Sequence, residues 1–308
     1  MCSHRPTTKA NALELHAMTS APLLQQPGWR VGDVTITPIL EVTWTLTENW
    51  LFPDGTPERL AAIDWLRPHY LTDQNEVMLL IQAFVVESAG MKIIVDTCIG
   101  NDKPRSVEGF NRMQTPWLKT LLGAGFDPAS MDAVVCTHLH FDHIGWNTRL
   151  DNGRWVPTFP NARYLIGDRE WAHYEPKTYP HLDDSVRPIF DAGLADLIAP
   201  GHRITDEVSV EPTPGHTPGH ACVHIRSQGA HAVITGDMIH HPSQCAHPEW
   251  RAKVDFDPEQ GCETRRRFLC DVADSPTLVI GTHFAVPSAG HIRSDGDAWR
   301  FVPYDPTR

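Results

Sequence analysis

The sequence predicts an α/β protein in which two similar β-rich halves pack face to face within one domain. Two observations carry this expectation. The stretches AFVVESAGMKIIVD (83–96) and ACVHIRSQGAHAVITGD (221–237) share one layout: a β-rich run, a Ser-x-Gly turn, a second run and a terminal aspartate. Each is followed by a region of helical pattern and a further apolar strand, MDAVVCTH (131–138) in the first half and PTLVIGTH (276–283) in the second. Both of those strands end in Thr-His. The repeat period is too long for a solenoid, so the duplication reads as two halves of one core. That resolves the domain count, which a length of 308 residues leaves open.

Taken in order, residues 1–28 carry scattered polar side chains and no continuous apolar run, which predicts a flexible N-terminal segment and no secretory signal. The remaining residues, 29–308, form the predicted domain. Within it, VTWTLTENWLFPDGTPERLAAIDWLRPHY (42–70) is rich in aromatics yet broken by proline and glycine, a pattern of a lid or a homodimer contact. Helices are predicted at 56–68, 115–125, 167–175 and 257–274. The first, second and last begin with Thr-Pro or Asp-Pro, an N-cap followed by proline at the first helical position.

Composition excludes several classes. The chain is 41% hydrophobic and 21% charged, with no apolar run long enough to cross a bilayer, which predicts a cytoplasmic protein with no membrane partner. A formal net charge of −12 disfavours nucleic acid, whose backbone is bound by basic surfaces that release counterions. The one basic run, Arg265-Arg266-Arg267, is expected to be the solvated face of a helix. Seven cysteines at irregular spacing fit neither a disulfide framework nor a zinc-finger pair, so reduced and mostly buried thiols are expected.

The densest chemistry lies in THLHFDHIGW (137–146). Successive side chains of an extended strand alternate faces, so His138 and His140 project to one side and can share an ion. Asp142 and His143 follow where the strand runs out, and a tight bend there can aim them at a second position. Further ligands should sit on strand ends or stiff turns. The chain offers His216 and His220 in EPTPGHTPGH (211–220), Asp237 at the end of ITGD, and His283 at the end of VIGTH.

The order His-x-His-x-Asp-His, then Pro-Gly-His, then Gly-Asp, then a late His resembles the metallo-β-lactamase superfamily over about residues 75–290. The resemblance implies an αββα sandwich, two mixed β-sheets flanked by helices. It also implies that His138, His140 and His216 hold one ion, that Asp142, His143 and His283 hold the other, and that Asp237 bridges both. His220 is then a hydrogen-bonding residue behind the ligands. Asp96 matches a position where the family often keeps an acid, which would orient a ligand histidine, and Thr137 would assist.

Nitrogen and carboxylate ligands without thiolate suit two Zn2+ ions, with iron or manganese as alternatives. Such a pair can share a hydroxide that attacks a carbonyl or phosphoryl centre, with Asp142 and Asp237 as catalytic carboxylates. β-Lactamases of this fold lack the bridging aspartate, glyoxalase-type relatives carry a helical C-terminal domain, and flavodiiron relatives have glutamate where His140 stands. The resemblance therefore points to the lactonase and organophosphate-hydrolase branch, acting on a small neutral lactone, ester or phosphotriester. Where many homoserine-lactone lactonases have tyrosine three positions after the bridging aspartate, this chain has His240, which could donate a hydrogen bond to the developing oxyanion. An apolar substrate wall is expected from Trp44, Trp50, Phe52, Trp65, Trp146 and Phe284. The rival from another class is a non-catalytic, metal-stabilised binding protein, whose signature would be a missing ligand.

Overall fold

Two seven-stranded sheets face each other in the computed structural model, which describes residues 26–46 and 50–305. The first sheet opens with β1 (Trp29–Val31), β2 (Val34–Leu46), β3 (Val77–Ser88) and β4 (Met91–Val95), all antiparallel neighbours. It continues in parallel with β5 (Ala133–Cys136). A separate hairpin, β6 (Thr148–Asp151) and β7 (Arg154–Pro157), precedes the last two parallel strands of that sheet, β8 (Arg163–Gly167) and β9 (Ala195–Ile198). The second sheet follows chain order: β10 (His202–Arg203), β11 (Val208–Pro212), β12 (Ala221–Ser227), β13 (Ala230–Ile234), β14 (Leu278–Ile280), β15 (Ala289–Asp295) and β16 (Ala298–Pro303). Only its β13–β14 pair is parallel.

The two hairpins seen in the sequence are β3–β4 and β12–β13. Their two-residue turns, Ala89-Gly90 and Gln228-Gly229, have φ of 51° and 83° and of 50° and 81°. Positive φ at both central residues is the turn geometry that matches strand twist, and glycine supplies the second position without strain. In each half, the second hairpin strand pairs in parallel with the strand that ends in Thr-His. The halves therefore bring Asp96 beside Thr137-His138 and Asp237 beside Thr282-His283 at one end of the sandwich.

Both faces of both sheets are covered, which is why strands such as VMLLIQAFVV read as unbroken apolar runs instead of alternating ones. Between the sheets, Phe84, Val86, Ile93 and Val135 meet Val223, Ile225, Ile234 and Ile280. Outside the first sheet, Ile94, Val134 and Ile166 pack under Trp117, Leu121 and Trp171 of α2 (Trp117–Gly123) and α4 (Asp168–Tyr174). These follow α1 (Pro57–Ala61) and the one-turn α3 (Phe141–Ile144) in the helix count. The same face carries Leu182 and Ile189 of α5 (Pro180–Ser185) and α6 (Arg187–Asp191). Outside the second sheet, Val233 and Val279 pack under Phe268, Leu269 and Val272 of α8 (Pro258–Val272), which follows the short α7 (Ser243–Ala246).

Some local expectations need correction. The helix expected over 56–68 is α1 plus a separate 3-10 turn at Asp64–Leu66, and extended backbone at Arg67, the residue before Pro68, ends it. Thr56 and Asp257 cap α1 and α8, accepting from Arg59 N and Gln260 N. Thr115 does not cap α2, because its hydroxyl donates to the buried Glu41 carboxylate at 2.9 Å. Arg265 is not part of a solvated face. It is 1% exposed and donates to the carbonyls of Met238, Pro248 and Trp250, while Arg266 and Arg267 are exposed. Of the cysteines, Cys98, Cys136, Cys222 and Cys245 are buried free thiols. Residues 1–25 of the N-terminal segment and 47–49 of the 42–70 stretch lie outside the described residues. No helix among the described residues is long and apolar enough to cross a membrane.

Candidate metal centre

Every residue singled out for metal chemistry sits just beyond a strand end on one edge of the sandwich. β5 ends at Cys136, so His138 lies in a bend past the expected strand and His140 in extended backbone, and the chain then turns directly into α3, which carries Asp142 and His143. The bend is held against the 97–100 loop: Thr97 N donates to His143 O at 2.7 Å and Gly145 N to Cys98 O at 2.7 Å. A Cβ on Gly145 would lie 1.7 Å from Ile99 O, so this crossing requires glycine. His216 sits in the β11–β12 loop, Asp237 follows β13, and His283 follows β14.

Two groups form. In the first, His216 Nε2 lies 3.2 Å from His138 Nε2 and 2.9 Å from His140 Nδ1. In the second, His143 Nε2 and His283 Nε2 are 3.2 Å apart, with Asp142 Oδ2 at 3.9 and 3.7 Å from them. Asp237 stands between the groups. Its Oδ2 is 3.3 Å from His216 Nε2 and 3.7 Å from His138 Nε2, while its Oδ1 is 3.2 and 3.1 Å from the Nε2 atoms of His143 and His283.

The donor set fits metal ions. The opposite ring nitrogens are already engaged: His143 Nδ1 with Asp96 Oδ2 at 2.9 Å, His216 Nδ1 with Asp255 Oδ1 at 2.9 Å, and His283 Nδ1 with Leu80 O at 2.7 Å. In the first group, where burial keeps the rings neutral, the inward nitrogens face one another at 2.9–3.2 Å and present lone pairs that a bound cation would satisfy. Ligand atoms about 2.0–2.1 Å from a tetrahedral ion stand about 3.3 Å apart, the spacing found here. Asp237 Oδ1 is buried between the Nε2 atoms of His143 and His283.

Electrostatics divide the two groups. Burial pushes His138, His140 and His216 well below the ordinary imidazole range, which keeps those rings neutral. Burial acts the same way on His143, but the carboxylates of Asp237, Asp96 and Asp142 outweigh it and hold the ring well above that range. For Asp237, burial favours the neutral acid, yet the surrounding rings of His143, His283, His240 and His138 hold its carboxyl well below the usual range.

The supporting residues take distinct parts. Asp96 accepts from Thr137 N and Oγ1 at 2.9 Å as well as from His143. Thr137 Oγ1 in turn lies 3.1 Å from His138 Nδ1. His220 belongs to neither group: its Nε2 accepts from Asp237 N at 2.9 Å and its Nδ1 donates to Thr213 O at 3.1 Å, so it fixes the backbone that carries Asp237. Sequence reading missed Asp255, which is separated from His216 by 39 residues. Its other oxygen accepts from Ala252 N, and Arg265 Nη2 lies 4.0 Å away. Asp255→Asn should weaken metal binding at the first group about 10–100-fold, the usual cost of losing a carboxylate behind a metal-facing histidine; chelator competition measures it.

Beside Asp237, a cavity of about 310 Å³ opens onto His140, Asp142, His240 and His283, with Trp44, Trp50, Leu51, Leu79, Val107, Phe110, Phe141 and Val254 as its apolar wall. Four residues expected in that wall are elsewhere. Trp146 stacks on Trp117 at 5.4 Å and donates through Nε1 to Glu41 at 2.7 Å, which turns it into the core. Phe284 is fully buried with its ring edge-on to Phe301, Phe52 packs behind His240 against Trp250, and Trp65 joins the second-sheet core beneath Arg300. Both ring nitrogens of His240 are buried without a partner, and its Nε2 lies 3.4 Å from Asp237 Oδ2.

Two mixed sheets between helices, with histidines and aspartates gathered at one edge, define a metallo-hydrolase class of αββα protein. The metallo-beta-lactamase superfamily model matches residues 79–272, more than half of the chain, and the protein belongs to that superfamily. A probable metallo-hydrolase of Bacillus subtilis (strain 168), YflN, is 26% identical over 188 residues. That match covers 56% of this chain and 63% of YflN, less than two thirds of the relative's length. Among solved structures, the hydrolase AbOPH of the beta lactamase superfamily superposes with a TM-score of 0.76 at 25% identity, covering 90% of this chain and 97% of that one. AidC, a dizinc quorum-quenching lactonase in complex with a product, N-hexanoyl-L-homoserine, has the same fold, with a TM-score of 0.75 at 21% identity over 91% of this chain and 97% of its own.

Proposed function

We propose that this chain is a dinuclear zinc hydrolase that opens a lactone, or cleaves an ester, of a small and largely apolar substrate. The observation that carries the reading is Asp237, whose two oxygens each face a different histidine group within 3.1–3.3 Å. One carboxylate can thus serve two ions. His138, His140 and His216 would hold one, and Asp142, His143 and His283 the other. Bound there, two zinc ions would supply Lewis acidity and a water acidic enough to act as nucleophile near neutral pH.

The chain's own residues do the rest. Asp96 and Asp255 keep His143 and His216 in the tautomer that turns Nε2 inward. His220 holds Asp237 in place through its backbone amide. The aromatic wall excludes water and takes the apolar part of the substrate, with the carbonyl directed at the polar floor. His240 borders that floor with both nitrogens unpartnered, so it can donate a hydrogen bond to the oxygen that gains charge. Among the described residues no lysine or arginine lines the cavity, which favours neutral substrates. AidC, of the same fold, is a lactonase, which agrees with placing lactones first.

Zinc-loaded protein assayed with acyl lactones, aryl esters and phosphotriesters tests the reading. The expected result is the highest kcat/KM on a lactone. A clear preference for phosphotriesters would replace it with the organophosphate triester hydrolase alternative.

A further inference from the structure

Glu170 is a buried acid that takes no direct part in either histidine group. It sits in the first turn of α4, 1% exposed, at a position that helix propensity alone would leave on the surface. Its Oε1 accepts from Leu139 N at 3.0 Å and its Oε2 from Gly219 N at 2.9 Å. Leu139 lies between His138 and His140. Gly219 lies in the loop that carries His216. One carboxylate therefore ties together the two loops that supply the first group, beside the single direct backbone bond from Ala221 N to Thr137 O at 2.9 Å.

The approach is close enough to dictate sequence. A Cβ on Gly219 would stand 2.2 Å from Glu170 N and 2.6 Å from Glu170 Cβ, so the loop can seat on α4 only with glycine there. Both carboxylate oxygens face N–H donors, an arrangement that suits the ionised acid. Burial pushes the Glu170 carboxyl up, and the Thr217 hydroxyl, with the Leu139 and Gly219 amides, opposes that shift. A buried charge without these bonds would be costly, so the geometry of both loops and the ionisation of Glu170 support each other.

We infer that Glu170 is a positioning residue that sets the spacing between His138/His140 and His216, and through it the affinity of the first metal site. The inference rests on the dinuclear reading given above. Glu170→Gln is nearly isosteric, but its amide offers one acceptor and opposes an N–H donor with its own NH2, so one loop loses its tie. Glu170→Asp keeps two acceptors on a shorter arm and is expected to fall between Gln and the native residue.

The test is Zn2+ titration of metal-stripped protein against a chromophoric chelator, repeated with Co2+ followed by its visible absorption, together with thermal unfolding of each variant. The expected result is two ions per native chain, with one of them bound about 10–100-fold more weakly in Glu170→Gln while the other is unchanged. A purely structural role would lower the unfolding midpoint of the metal-free chain while leaving both affinities unchanged, or weaken both ions equally, and either pattern overturns the inference. Equal affinities in the native chain and Glu170→Gln also overturn it while leaving the dinuclear reading intact. A native chain that fails to bind two ions withdraws both.

Discussion

Asp237→Ala is expected to lower kcat/KM on the best substrate by about 10³-fold or more, roughly 4 kcal/mol of transition-state stabilisation. Asp237 is the one side chain that reaches both groups, with Oδ1 toward His143 and His283 and Oδ2 toward His138 and His216. Its removal leaves three histidines on one side, and two histidines with Asp142 on the other, with no shared ligand between them. The backbone should survive, because Asp237 N is held by His220 and not by the lost carboxylate. Circular dichroism should accordingly match the native protein while metal content falls below two per chain. Native turnover in a variant that still binds two ions would remove Asp237 from the bridging role and, with it, the observation on which the proposed function stands.

The ligand positions were legible because strand periodicity and stiff turns act locally. His138 and His140 both reach His216 just past the end of β5, and Asp237 and His283 follow apolar strands whose pairing follows from the duplicated hairpin. What escaped sequence reading depends on partners distant along the chain. Asp255 serves His216 across 39 residues, and Glu41 collects the Trp146 indole across 105 and the Ile99 amide across 58. That capture explains the error on Trp146. Nearness to a ligand motif in sequence says nothing about which way a ring turns, and a buried carboxylate turned this one inward. The cavity wall instead drew on Phe110, which lies in no motif, and on Phe141, the unassigned position between His140 and Asp142 of the ligand motif itself. Arg265 was misread for the same reason: three carbonyls at the end of other loops, invisible in the run of arginines, make its burial affordable.

Stripping the native chain of metal should lower its thermal midpoint by about 10 °C or more. A ligand present at about 1,000 times its Kd stabilises the folded state by about 4 kcal/mol per site, and about 1 kcal/mol moves the midpoint of a chain approaching this size by about 2–4 °C. The physical source is in the site itself. In the stripped chain the buried nitrogens of the neutral first-group rings face each other at 2.9–3.2 Å, a cost to the folded state that a bound cation would relieve. Differential scanning calorimetry with and without chelator, followed by zinc readdition, measures the difference; a midpoint that moves by no more than about 1 °C would mean that folding does not sense the site. The two predictions constrain each other. If Asp237 is the ligand common to both ions, Asp237→Ala should lose much of the chelator-induced shift, whereas an unchanged shift in that variant would locate the stabilising metal away from Asp237.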